Sequence, residues 1–197
     1  MGVEYEIKLV PTQEKYFLLL EASFQETGVH FDMETTYYDT IDRSLRRRDI
    51  TLRKRMENGK SVCTMKTPAD LGRNEYEVEA ATIEEAIPQL CKLASAPDIA
   101  DLLKDGVEEV CGARFHRITR RMQLTDGVVE VCIDRGQLLG GGKTLPLLEV
   151  ELELIEGAPE GVRRNAAALC AAYQFKEEKR SKYARSYMLA MEAEHGI

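Results

Sequence analysis

Apolar and polar positions alternate along several short stretches of this 197-residue chain, and the polar half of the alternation is unusually charged. Over residues 4–8, Glu4, Glu6 and Lys8 share one face of an extended strand, with Tyr5, Ile7 and Leu9 on the other. The two-residue period returns over 50–57 and 60–66, joined by Asn58-Gly59, a strong hairpin signal. It recurs over 73–80, then over 114–124 and 128–135 about Asp126-Gly127, and last over 147–155. A short extended piece covers 35–39. Between these stretches the period becomes helical: over 13–27 with Tyr16, Leu19, Leu20 and Phe24, over 83–94 behind a Thr82/Glu85 capping box, over a short piece from Pro97, and over 159–173 and 182–193. No linker or repeat divides the chain. The pattern predicts one α+β domain over residues 1–197, with about eight mostly antiparallel strands and four or five helices.

The charged faces reinforce one another. Arg53 and Arg55 share a face; so do Arg73, Glu75, Glu77 and Glu79; so do Glu149, Glu151 and Glu153; Glu130 and Asp134 share another. The opposite faces are apolar enough to need helices over them. The expected architecture is therefore an eight-stranded antiparallel closed barrel with helices packed outside and charges lining a ligand-sized interior. The candidate lining comprises Lys8, Arg53, Arg55, Lys66, Arg73 and Arg120, with Glu4, Glu6, Glu75, Glu77, Glu149 and Glu151. Ion pairing within the sheet would balance these charges. Carboxylates holding a divalent cation, with Arg and Lys holding a polyanion, would also account for both signs in one space.

Composition narrows the classes. A formal charge of −7 and the lack of a basic face argue against nucleic acid as a partner. No apolar run approaches the ~18 residues of a membrane helix, and no leader pattern is visible, so a soluble cytoplasmic protein is expected. Five cysteines, an odd number with no C-x-x-C pair, read as free thiols, and the three histidines are scattered. Gly140-Gly141-Gly142-Lys143-Thr144 lacks the spacing of a phosphate-binding P-loop and reads as a turn. Arg46-Arg47-Arg48 reads as a solvated turn or as a patch that steers a polyanion.

An ordered set of motifs resembles the CYTH superfamily, the triphosphate tunnel metalloenzymes. The set runs Glu4-x-Glu6-x-Lys8, Tyr37-Tyr38-Asp39-Thr40, Leu52-Arg53-Lys54-Arg55, Thr64-Met65-Lys66, Arg73-x-Glu75-x-Glu77, Glu149-Val150-Glu151-Leu152 and Ser181-Lys182-Tyr183-Ala184-Arg185. The resemblance implies a triphosphate bound with Mg²⁺ or Mn²⁺ inside the barrel. Glu4, Glu6, Glu149 and Glu151, joined by Glu75 and Glu77, would be metal ligands. Lys8, Arg53, Arg55, Lys66, Arg73, Arg120 and Lys182 would grip phosphates, with Glu4, Glu6, Lys8 and Arg120 at the chemistry. One departure stands out: where the family has a lysine two positions before Arg120, position 118 is isoleucine. The implied activity is hydrolysis of inorganic tripolyphosphate. A class IV-like adenylate cyclase, a thiamine-triphosphatase and a non-catalytic polyphosphate-binding module are the alternatives, and a homodimer is as open as a monomer.

Overall fold

In a computed structural model, which describes residues 5–70 and 73–194, the chain begins with β1 (Glu6–Pro11) and α1 (Glu14–Ala22). β2 (Val29–Asp39) leads through the four-residue α2 (Ser44–Arg47) to the hairpin of β3 (Thr51–Glu57) and β4 (Lys60–Pro68). Asn58 and Gly59 take left-handed φ values of 48° and 86°, the conformation that twists a two-residue turn to match its strands. β5 (Arg73–Glu79) follows, then α3 (Ile83–Ala94) and α4 (Pro97–Leu103). The capping box forms: Thr82 Oγ1 accepts the Glu85 N–H at 3.3 Å, and the Glu85 carboxylate accepts the Ala81 N–H. Three long strands come next, β6 (Glu108–Leu124), β7 (Gly127–Gly140) and β8 (Lys143–Gly157). The chain closes with α5 (Pro159–Tyr173), the short β9 (Phe175–Glu177) and α6 (Lys182–Glu194).

All neighbouring strands are antiparallel, and the sheet order is β5-β4-β3-β2-β6-β7-β8-β1-β9. Among the described residues the sheet is not closed by hydrogen bonds, so the closed eight-stranded barrel expected from the sequence is corrected to a nine-stranded sheet with β5 and β9 at its edges. β9 pairs with β1 through Leu9, Val10 and Pro11 and occupies part of the edge that closure onto β5 would use. The sheet nevertheless curls: a single cavity is lined by side chains from β1 through β8.

Apolar side chains on the convex face form two cores. Leu9, Ile118, Val131, Ile133, Val150 and Leu152 pack with Phe17, Leu20 and Phe24 of the α1 region and with Val162 and Ala166 of α5. Leu52, Cys63 and Met65 pack with Ile83, Leu90, Ile99 and Leu103 of α3 and α4. Helix α1 ends at Ala22, short of the expected 27, and Leu19 is 62% exposed, so that stripe runs through Phe17, Leu20 and Phe24. Four helices lie outside as expected. Helix α6 does not: its Tyr187 and Ala190, with Tyr183 beside them, pack against Tyr37 and Cys111 on the concave face. Gly140 and Gly141 admit this helix, since a Cβ on either would collide with Ala190 or its neighbours. Among the described residues no helix is long and apolar enough to cross a membrane, and all five cysteines are free thiols.

Candidate functional site

The concave face encloses a cavity of about 830 Å³ with two chemically distinct walls. One wall is acidic and comes from β1, β7 and β8. Glu6 stands opposite Glu153 in the β1–β8 register, and Lys8 opposite Glu151. Behind this surface Asp134, Glu149 and Glu151 bring carboxylate oxygens within 4.8 Å of one another, and Asp134 and Glu149 are 0% exposed. Three cations hold them together. Lys182 Nζ lies 2.8 Å from Asp134 and 2.7 Å from Glu151, and it also contacts Glu149. Arg117 donates from Nε and Nη2 to the two Asp134 oxygens, both at 2.7 Å, and reaches Glu151. Arg185 pairs with Glu149.

Burial works against each of these charges, and the partners decide the outcome. Burial raises Glu149, to about 7, against the pull of Lys182 and Arg185. At Glu151 the same burial is outweighed by Lys182 and Arg117, which hold its carboxyl well below the usual range. Buried Lys182 and half-buried Lys8 are held above the ordinary lysine range against the effect of burial: Lys182 by Asp134, Glu151 and Glu149, and Lys8 by Glu6, Glu151 and Glu149.

The other wall is basic and comes from β3, β4 and β5. Arg53, Arg55, Lys66 and Arg73 line it with Glu75 and Glu77. Contacts here are looser: Arg53 to Glu75 at 3.4 Å and to Glu77 at 3.8 Å, and Lys66 to Glu75 at 3.3 Å. Arg55 has Thr35 at 3.2 Å and Glu57 at 3.5 Å. Burial, then the neighbouring Arg53 and Arg117, lower the pKa of Arg55. The Nε groups of Arg53 and Arg73 are buried without a hydrogen-bond partner. Arg53, Arg55 and Arg117 thus come close together, and the two on this wall are held by ion pairs of 3.4–3.8 Å.

Several expected residues meet in this cavity: Glu6, Lys8, Arg53, Arg55, Lys66, Arg73, Glu75, Glu77, Glu151 and Lys182 all line it. Glu149 sits beneath its surface, under Lys182. Glu4 lies outside the described residues. Arg120 is a correction. It points to the convex face, 4.1 Å over the Phe24 ring, and donates to Thr27 Oγ1 at 2.8 Å. The reason is register: β6 and β7 pair Arg117 with Asp134, Ile118 with Ile133 and Arg121 with Glu130. Odd positions of β6 therefore face the cavity, and Ile118 belongs to the convex core, where a lysine would be costly. Sequence reasoning missed Arg117 as the inward cation, and with it Asp134 and Arg185. Asp39 of the Tyr-Asp segment is structural. Its carboxylate accepts the N–H groups of Thr40, Leu45 and Arg46 and so fixes α2.

Glu6, Glu151 and Glu153 line the cavity with carboxylate oxygens, a chemistry that suits a hard divalent cation and not a soft one, while the acidic groups that converge within 4.8 Å among the described residues are Asp134, Glu149 and Glu151. The facing guanidiniums offer planar forks suited to phosphate or carboxylate oxygens. Together they can hold a metal–polyanion complex between opposed walls.

Comparison with known proteins agrees with this arrangement. The profile of the CYTH domain matches residues 2–187. An inorganic triphosphatase of Haemophilus influenzae is 27% identical over 127 residues, 62% of this chain and 36% of that protein. YjbK of Bacillus subtilis, provisionally named a triphosphatase, is 32% identical over 84 residues, 42% of this chain and 44% of its own length. The matched regions thus span under half of each curated relative. HpAC1 of Hippeastrum, an adenylyl-cyclase candidate described as having a dominant triphosphatase activity, shares the fold with a TM-score of 0.61 at 18% identity, covering 98% of this chain and 96% of that one. With the profile matched across nearly the whole chain and the charged cavity in place, this protein belongs to the CYTH domain family.

Proposed function

We propose that the chain is a divalent-metal-dependent triphosphatase whose substrate is inorganic tripolyphosphate. The observation that carries this reading is the gathering of Arg53, Arg55, Lys66, Arg73 and Arg117 in one lining, where burial first, and then the charges of Arg53 and Arg117, work against the charge on Arg55. A bound polyanion relieves that repulsion, and arginine forks match phosphate oxygens. Glu6, Glu151 and Glu153 would hold Mg²⁺ or Mn²⁺, which supplies charge neutralisation and Lewis acidity at the phosphates. The remaining work falls to the protein. Arg53, Arg55, Lys66 and Arg73 bind and align the phosphate chain. Lys8 and Arg117 stand between the walls and stabilise charge as it spreads over the terminal phosphoryl and the leaving pyrophosphate. Lys182 keeps the deep carboxylates compact, so that the acidic wall stays in register. No protein nucleophile is required. The inorganic triphosphatase relative supports the substrate assignment.

Phosphate release from tripolyphosphate, ATP and thiamine triphosphate, each with Mg²⁺ or Mn²⁺, tests the reading. Tripolyphosphate is expected to be the preferred substrate, yielding phosphate and pyrophosphate. Cyclic AMP with pyrophosphate from ATP would replace hydrolysis by cyclisation, and tight binding without turnover would make the chain a binding module.

A further inference from the structure

A second hollow, of about 520 Å³, adjoins the main cavity. Arg73, Ser181, Tyr183 and Ala184 line both. Its remaining wall carries Arg43, Arg46 and Arg47, and Asp49 is the one carboxylate among its described lining residues. We propose that this hollow is a second polyanion subsite, which extends the substrates of the main cavity from triphosphate to longer linear polyphosphates. The proposal rests on the triphosphatase reading of that cavity.

Three features point this way. The first is charge. Arg43 is held from the side by Glu108, Arg47 by Asp42 and Arg73 by Asp49, while Arg46 lies over the Tyr187 ring, so cations outnumber their partners. The second is continuity. Arg73 stands on the shared wall with a buried Nε that has no hydrogen-bond partner, so a guanidinium marks the passage from one hollow to the next. The third concerns what the hollow cannot take. Its two aromatic rings are already engaged: Arg46 covers Tyr187 at 3.9 Å, and Tyr183 packs against Tyr37 and Tyr187 with centroids 5.1 Å and 5.9 Å away. Tyr187 is buried under Arg46 and Tyr183 is tilted against two other rings, so the hollow offers a nucleobase little aromatic surface and its arginines favour further phosphates. The Arg46-Arg47 pair in the sequence thereby gains a role beyond that of a solvated turn.

Binding is measured without metal, in EDTA at low salt, by competition of tripolyphosphate, a linear polyphosphate several times longer, and ATP. A longer chain also presents more triphosphate windows, and that statistical advantage survives any change in the second hollow. The discriminating measurement is therefore charge reversal. In Arg46→Glu/Arg47→Glu, the preference for the longer chain over tripolyphosphate should fall about tenfold, the effect of one lost charged contact. An unchanged preference overturns the subsite, as does ATP binding more tightly than tripolyphosphate in the parent. If the double variant does not fold, Arg47→Glu alone, at an exposed position, repeats the test with a smaller expected fall. A parent that binds the long chain but not tripolyphosphate, with the loss on charge reversal intact, keeps the subsite, and the phosphate-release assay with metal then decides the triphosphatase reading separately. A parent that binds neither overturns the subsite.

Discussion

The two walls of the cavity are built from the same strand alternation and end in opposite electrostatic states. On β7 and β8 each deep carboxylate is matched by a cation: Lys182 and Arg117 bridge Asp134 and Glu151, and Arg185 closes on Glu149. On β3, β4 and β5, Arg53, Arg55, Lys66 and Arg73 meet Glu57, Glu75, Glu77 and Asp49 in equal number, but the contacts stretch to 3.3–3.8 Å, and two buried Nε groups, of Arg53 and Arg73, have no acceptor against one, of Arg185, beside the acidic wall. A matched buried network contributes order and is costly to break at one member. A loosely held one is easier to rearrange, and charged groups gathered in a cleft with perturbed titration mark a candidate binding site. Charge inside a fold is therefore not one signal: tightly bridged charge reads as architecture, and loosely bridged charge lining a cavity reads as a candidate site.

Substitutions can break or sharpen that contrast. The largest effect is expected at Lys182. Lys182→Met leaves three buried carboxylates short of their central cation and should cost about 3–5 kcal/mol of stability, read by urea denaturation; a loss below about 1 kcal/mol would make the network dispensable. Glu6→Gln keeps the shape of the strand and removes a carboxylate from the cavity, so metal-dependent turnover should drop about 100-fold with the melting temperature nearly unchanged. On the basic wall, Arg53→Ala should raise KM for tripolyphosphate about tenfold and leave stability within about 1 kcal/mol, since its partners are distant. Equal stability losses at Lys182 and Arg53 would erase the distinction between the walls. The smallest effect is reserved for Arg120→Ala, which removes one cation–π contact worth about 0.5–1 kcal/mol and should leave KM unchanged.

Arg120 also marks where the sequence stopped being legible. Turn chemistry and alternation located the strands of both hairpins, because Asn58-Gly59 and Asp126-Gly127 dictate a local backbone and the flanking periods are clear. The phase of β6 was harder to read, for its two faces are both mixed: Phe115, Arg117, Thr119 and Arg121 on one, His116, Ile118, Arg120 and Met122 on the other. A usable signal was nonetheless present. Across a two-residue turn, odd positions of β6 must share a face with even positions of β7, which groups Arg117 and Arg121 with Asp134 and Glu130. β2 was legible further back than residue 35, since Val29, Phe31 and Met33 alternate with His30, Asp32 and Glu34; 175–177 is too short to carry a signal, and β9 exists because pairing with β1 supplies its hydrogen bonds. The inward position of α6 was equally hidden, since whether an apolar stripe packs inside or outside a curved sheet depends on which hollow is left to fill. Its Ser-Lys-x-x-Arg start was visible; that Lys182 would be the centre of an acidic cluster was not.

The placement of α6 carries a consequence for the order of events on the ribosome. Asp134, Glu149 and Glu151 emerge before Lys182 and Arg185, and β1 must wait for β8 before its inner edge is paired. Until α6 is synthesised, the growing chain holds a cluster of like charges that resists burial. The domain should therefore stay uncommitted until α6 arrives, with the curl of the sheet completed in that step.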